Sequence, residues 1–147
     1  MARYATTVDS PLAPAESFAK VADLANFEKW DPGVSASEQV QGDGPAVGAA
    51  YDVTVKTFTG GSMVLTYVIT EFEPGERVVA LAETSNLRSY DVISVEPSDA
   101  AGDGGSALTY DAELELKGIF RPANLLLGLV FNRIGDAADK GLRTYLA

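Results

Sequence analysis

The order of the apolar pattern constrains this chain more than any single residue in it. From about residue 50 to residue 117 the sequence runs as a succession of alternating apolar and polar segments, and one long amphipathic stretch, 122–147, follows them. Strands in succession, closed by a single terminal helix, predict an α+β fold in which a curved antiparallel sheet wraps around a long C-terminal helix. A sheet that grips a helix leaves a cavity between the two, and function is expected there.

The segments read as follows. Residues 3–9 carry β-type side chains and end at Ser10-Pro11, which predicts a first strand. Residues 15–24 predict a short helix, with Phe18, Val21 and Ala22 on one side and Pro14 suited to its first turn. A second short helix is expected over 26–30, stopping before Asp31-Pro32-Gly33. Strands follow at 34–41, 51–56, 63–72, 77–84, 87–97 and 108–117, which makes seven with the first.

Three of these strands have a clear phase. Tyr51, Val53 and Val55 share a face, as do Met63, Leu65, Tyr67 and Ile69, and again Leu108, Tyr110, Ala112, Leu114 and Leu116. Strands 77–84 and 87–97 carry apolar residues on both faces, so their inward phase stays open. A three-residue Thr59-Gly60-Gly61 loop pairs Phe58 with Ser62, Val55 with Leu65 and Val53 with Tyr67, keeping both apolar sets on one face. A two-residue Gly60-Gly61 loop pairs Val55 with Thr66 instead, so the first register is expected. In the terminal helix, Leu127, Val130, Phe131, Ile134, Ala137, Ala138, Gly141, Leu142 and Tyr145 form one stripe. A helix of about 24 residues is roughly 36 Å long, enough to cross a sheet.

Composition narrows the chemistry. At 147 residues the chain is expected to be one domain, spanning 1–147. It has neither cysteine nor histidine, which removes thiolate chemistry, Ser-His-Asp triads and histidine-ligated metals. No metal site and no cofactor are therefore expected. Asp111, Glu113 and Glu115 line one strand face but span roughly 13 Å, too far apart to share one ion. The net charge of −10 argues against nucleic acid as a partner. The N-terminus lacks the apolar stretch of a signal peptide, and the longest apolar run, 125–131, is far short of a membrane span. A soluble, cytoplasmic protein is expected, monomer or homodimer.

Several segments carry a wider resemblance. They are Phe27-Glu28-Lys29-Trp30-Asp31-Pro32 at the second short helix, Gly48 with Tyr51 opening the third strand, and Val68-Ile69-Thr70-Glu71-Phe72-Glu73-Pro74-Gly75-Glu76-Arg77 at the next turn but one. To these add Gly105-Ser106-Ala107-Leu108-Thr109-Tyr110 entering the last strand and Lys140-Gly141-Leu142-Arg143-Thr144-Tyr145-Leu146 closing the helix. In this order and spacing the whole chain resembles the START-like, or SRPBCC, superfamily of Bet v1-like helix-grip proteins, and within it the polyketide cyclase/dehydrase-type branch. The resemblance implies the helix-grip fold, with two short helices between strands 1 and 2. It also implies binding or transport of lipids, sterols, hormones or polyketides and, in some branches, their cyclisation or dehydration. No invariant catalytic motif comes with it, so no catalytic residue is assigned.

The residues expected to contact a ligand are Trp30, Tyr51, Val53, Val55, Met63, Leu65, Tyr67, Tyr90, Tyr110, Leu114, Leu127 and Phe131. The aliphatic ones would supply apolar wall, and Tyr67, Tyr90 and Tyr110 a phenol to orient a carbonyl or hydroxyl. Trp30 is expected to cap the entrance or to pack under the first helix. If the even face of 87–97 points inward, Arg88 and Tyr90 could hold an acidic ligand. Ala137, Ala138 and Gly141 either leave room for a ligand or let a strand approach. Leu125, Leu126 and Leu129 make the start of the helix apolar all round and need a cover: the Trp30 loop or a second copy.

Three functions follow. The first is a binding protein for a small hydrophobic or amphipathic molecule of lipid, polyketide or aromatic type. The second is a cyclase/dehydrase-like enzyme that uses tyrosine or a carboxylate as acid and base. A buried carboxylate with a raised pKa would favour it, and the inward candidates are Asp52, Asp91 and Glu83. The third is a partner-binding protein using the Leu125–Leu129 surface.

Overall fold

The computed structural model describes residues 2–57 and 60–147. Seven strands form one antiparallel sheet: β1 (Ala2–Ser10), β2 (Val34–Gln41), β3 (Ala50–Lys56), β4 (Ser62–Glu73), β5 (Arg77–Glu83), β6 (Leu87–Pro97) and β7 (Ser106–Leu116). Their order across the sheet is β1-β7-β6-β5-β4-β3-β2. Strands β2 to β7 are thus a meander, and β1 returns to pair with β7. The chain crosses from one edge of the sheet to the other through α1 (Pro14–Ala22), a 3-10 turn (Leu24–Asn26) and α2 (Phe27–Trp30). The long helix α3 (Asn124–Tyr145) follows a second 3-10 segment, Gly118–Ala123.

Local chemistry sets these boundaries. Pro14 opens α1, which buries Phe18, Val21 and Ala22. The Asp23 carboxylate accepts from the Ala25 amide at 3.1 Å and starts the 3-10 turn. The predicted start of the terminal helix at Pro122 falls inside the second 3-10 segment, and α3 begins two residues later. Asn124 fixes that point. Its side-chain amide accepts from Leu116 N at 2.9 Å and donates to Leu116 O at 3.0 Å, standing in for a strand partner at the end of β7.

The hairpin register differs from expectation by two residues. Val55 pairs with Met63, Val53 with Leu65 and Tyr51 with Tyr67. A shift of two preserves the faces, since side chains repeat with period two. Thr57 N donates to Gly61 O at 2.9 Å, and Gly60, at φ +87°, takes the left-handed position that a three-residue loop requires. The hairpin is therefore closed by Thr57 and Gly61. The predicted pair of Phe58 with Ser62, and the place of Thr59, lie outside the described residues.

A bulge between Ile69 and Glu71 lets Leu65, Tyr67 and Ile69 face inward and then brings Phe72 inward as well, against Phe18 at a ring distance of 5.9 Å. The two open phases are settled by the core: Val78, Ala80 and Ala82 of β5 pack into it whereas Val79, though buried, does not, and Leu87, Ser89, Asp91 and Ile93 of β6 face the same interior.

Helix α3 buries Leu127, Phe131, Gly135, Ala138 and Leu142. The expected stripe omits Gly135, which is there for contact: a Cβ on it would fall into the Tyr4 ring. A Cβ on Gly141 would collide with the Trp30 carbonyl oxygen, so this glycine admits the α2 backbone and leaves no free volume. The C-terminal half of α3 is tied down further. Tyr4 donates to Asp136 at 3.0 Å, Thr6 to Asp139 at 2.6 Å, Ser10 to the Leu146 carbonyl at 2.6 Å and Lys20 to the Tyr145 carbonyl at 2.8 Å. The Lys20 ammonium also meets the negative end of the helix dipole.

Candidate functional site

Between the inner face of the sheet and the N-terminal half of α3 lies a cavity of about 420 Å³. Its wall is mainly apolar. Val55, Met63, Leu65 and Leu114 line it from the sheet, Leu127 and Phe131 from α3, and Tyr67 and Tyr110 add their rings. These are expected ligand contacts that the fold brings together. Ala112, Ile134 and Ala138 share the wall.

Four expected contacts lie elsewhere. Tyr51 and Val53 are fully buried on the inner face but belong to the solid core beside the cavity. The Tyr51 hydroxyl lies near Asp23 without a well-formed hydrogen bond to it. Burial first, and then the Asp23 charge, push this phenol up to about 12. Tyr90 is on the outer face of β6, because Ser89 and Asp91 take the inner one. Its ring lies beneath the Arg88 guanidinium, 5.4 Å away, and Arg88 in turn reaches Glu83 at 3.9 Å. Neither Arg88 nor Tyr90 is available to a ligand in the cavity. Trp30 does not cap an entrance. It is 2% exposed, stacks on Phe27 at 4.7 Å and meets the Tyr110 ring edge-on at 5.2 Å, while its backbone abuts Gly141. The Trp30 loop therefore sits at the far end of α3 from Leu125, Leu126 and Leu129, which stay exposed instead of packing beneath it. A wider, open depression of about 710 Å³ lies outside, between α2 and the end of α3, flanked by Glu28, Lys29 and Lys140. The cavity between the sheet and α3 is the less open and the more apolar of the two, which makes it the candidate site.

The chemistry of the cavity is concentrated on one wall. Ser89 and Asp91 project from β6, Tyr67 from β4 and Tyr110 from β7. Tyr110 Oη donates to Asp91 Oδ2 at 3.2 Å, and Ser89 Oγ donates to Asp91 Oδ1 at 3.4 Å. Tyr67 Oη and Ser89 Oγ are 2.7 Å apart. Ser89 has one proton and directs it to Asp91, so Tyr67 donates to Ser89. Two hydroxyl groups thus bond one carboxylate directly, and a third, that of Tyr67, joins them through Ser89. Asp91 is 3% exposed. Burial pushes its carboxyl up to about 7, the Tyr110 hydrogen bond opposes that rise, and the charge of Asp31 adds to it. Asp31 also lines the cavity. Burial raises its carboxyl too, while the Gly33 amide at 2.8 Å and the charge of Lys56 pull it down. The Tyr67 and Tyr110 phenols lie well above the ordinary value, through burial and then the charge of Asp91.

Of the three inward carboxylates considered from the sequence, only Asp91 is inside. Asp52 accepts from Thr66 at 2.7 Å on the outer face, and Glu83 pairs with Lys117 at 3.1 Å. Sequence reasoning misses Ser89 and Asp31. For Ser89 a signal exists: Leu87, Ile93 and Val95 put three apolar residues on its face of the strand, whereas the other face carries Arg88 and Glu96. The acidic row on β7 turns outward, where Arg3 bonds Asp111 at 2.6 Å and approaches Glu113 at 3.8 Å.

This geometry has relatives. The family model described as polyketide cyclase/dehydrase and lipid transport matches residues 1–147. The chain belongs to that family. A START superfamily protein from Mycobacterium smegmatis superposes on it with a TM-score of 0.75 at 15% identity, covering 98% of this chain and 96% of that one. A conserved protein from Geobacillus kaustophilus gives 0.70 at 16% identity, covering 98% and 93%. The protein Ara h 8.0201 gives 0.65 at 20% identity, covering 98% and 96%. No curated protein sequence matches the chain. At these identities the solved structures speak for the fold, which is the START and Bet v1-like helix-grip. The polyketide cyclase/dehydrase and lipid-transport family spans catalysts and carriers, so activity has to be read from the cavity. Among the described residues, no helix is long and apolar enough to cross a membrane.

Proposed function

We propose that this protein binds a small hydrophobic or amphipathic molecule, of lipid, polyketide or aromatic type, in the cavity between its sheet and α3. The observation that carries this reading is a partly open, largely apolar space of about 420 Å³ into which a buried cluster of Tyr67, Ser89, Asp91 and Tyr110 projects. Apolar walls give affinity by removing surface from water, and a few convergent polar groups give orientation. On this reading the protein works in the cytoplasm, as a monomer or homodimer, with no cofactor and no nucleic acid partner. Its net charge of −10 supports the last point.

The test is native mass spectrometry of protein purified from its own host, followed by solvent extraction. The expected result is a co-purifying or readily reloaded small molecule whose binding alters Trp30 emission, since the indole touches the cavity wall through Tyr110. A protein that takes up no apolar or amphipathic compound, with its emission unchanged throughout, refutes the reading.

One observation favours a second reading, a cyclase/dehydrase-like enzyme without histidine. Asp91 is a buried carboxylate lifted to about 7, where an acid/base group is most effective. Its outcome is distinct: the extracted molecule, or a poly-β-ketone offered to the protein, would lose water or cyclise on incubation, and Asp91→Asn would abolish that change. Bound ligand recovered unaltered favours the carrier.

A further inference from the structure

Asp91 stands in a largely apolar cavity, and among the described residues no cation is paired with it. The ion pairs there involve Arg3, Arg77, Arg88, Lys117 and Arg143, all with acids other than Asp31 and Asp91. Among the described residues, Lys56 is the one cationic side chain on the cavity wall, and it is exposed. An ionised carboxylate accepts at about four sites. Asp91 receives two hydrogen bonds, both long, at 3.2 and 3.4 Å. The cavity therefore contains a negative group, short of donors and without a counter-charge, beside a second acid, Asp31.

We propose that the ligand of this cavity carries a protonated amine on an apolar body, and that Asp91 is its counter-charge. The inference rests on the ligand-binding reading above and names the chemical class it selects. An ammonium supplies what the site lacks: donors for the free acceptor positions of Asp91 and a positive charge in a space of low dielectric. Asp31 strengthens the same field. A ligand headed by a carboxylate meets two like charges there, and a neutral alcohol supplies a donor without the charge. The amine loses hydration on entering, which limits its advantage over the alcohol.

The probes are decylamine, decanol and decanoate, which differ only in the head. Each displaces a neutral naphthyl fluorophore from the intact protein at pH 8, where Asp91 is ionised and the amine is protonated. Decylamine is expected to displace the fluorophore at a concentration at least tenfold lower than decanol, and decanoate to be the weakest. Asp91→Asn is expected to bring decylamine to the level of decanol while leaving decanol within threefold of its original value. Retained decanol binding also shows that the variant is folded. A second measurement needs no variant. At pH 5 the wild-type preference for the amine shrinks as Asp91 takes up its proton; Asp31, whose carboxyl burial also raises, acts in the same direction, Tyr67 and Tyr110 stay neutral, and Lys56 is the remaining charged side chain on the wall.

Decanol or decanoate binding as tightly as decylamine to the wild type overturns the proposal and leaves the ligand-binding reading intact. So does an amine preference that survives Asp91→Asn or the drop to pH 5, because it then comes from the overall negative charge. Failure of the fluorophore and all three probes to bind removes the ligand-binding reading itself, and this inference with it.

Discussion

An aspartate is ionised at neutral pH in water. At position 91 the fold moves its titration to about 7 from the ordinary 3.8. The folded state holds this proton more tightly than the unfolded chain, so the linkage has a definite sign. The contribution of Asp91 to stability is fully present below the unfolded value and is lost as pH rises through the folded one. Asp91→Asn removes that loss. Between pH 5 and pH 8 the stability of the variant relative to wild type is expected to rise by about 2 kcal/mol. Urea unfolding followed by Trp30 fluorescence at the two pH values measures it, and a difference independent of pH would refute the assignment. This residue also marks where the sequence stops being legible. Asp91 is one of three candidates in the sequence because β6 carries apolar residues on both faces, and Ser89 and Asp91 make its inner face look like an outer one. Leu87, Ile93 and Val95 favour that face, but the pairing of β6 with β5 and β7 decides the phase, and pairing is a property of the sheet. The strands at 51–56 and 108–117, whose polar residues all fall on one side, can be read alone.

At the scale of one element, α3 shows why the pattern of apolar residues describes a helix face more surely than its contents. The sequence puts Leu127, Phe131, Ala138 and Leu142 on one stripe, and all four are buried. Its three interior glycines look alike in sequence and differ completely in surroundings. A Cβ added at Gly128 would meet nothing within 4 Å, whereas one at Gly135 or Gly141 would run into Tyr4 or the Trp30 carbonyl. Alanine is favoured over glycine in a helix by about 1 kcal/mol. Gly128→Ala is therefore expected to stabilise the protein by about 0.5–1 kcal/mol. Gly141→Ala meets backbone that cannot rotate away, and overpacking of about 1–3 kcal/mol or more outweighs the helix gain. It is expected to lower stability by about 2 kcal/mol. Denaturant midpoints of the two variants check both signs, and a stable Gly141→Ala would mean that α2 and α3 do not meet as described.

Over the whole molecule, the two halves of α3 are held in different ways. The C-terminal half is fastened by Tyr4, Thr6, Ser10 and Lys20 and seated on the Trp30 backbone through Gly141. The N-terminal half faces the cavity. Leu127 and Phe131 look into it, Leu125 and Leu129 are 85% and 77% exposed on the other side, and Asn124 is the hydrogen-bonded link back to β7. A helix segment beside unfilled volume has fewer packing partners and opens locally at lower free energy. A ligand that fills the cavity supplies those partners. Hydrogen exchange is therefore expected to be faster over residues 124–131 than over 138–145 in the empty protein. Ligand is expected to slow the first segment far more than the second. The same contrast predicts a route into the partly open site: the weakly held half of α3 is expected to move from the sheet while the fastened half stays as its hinge. Uniform exchange along α3, or protection by ligand confined to 138–145, would rule out that route and place the entrance among the strand loops instead.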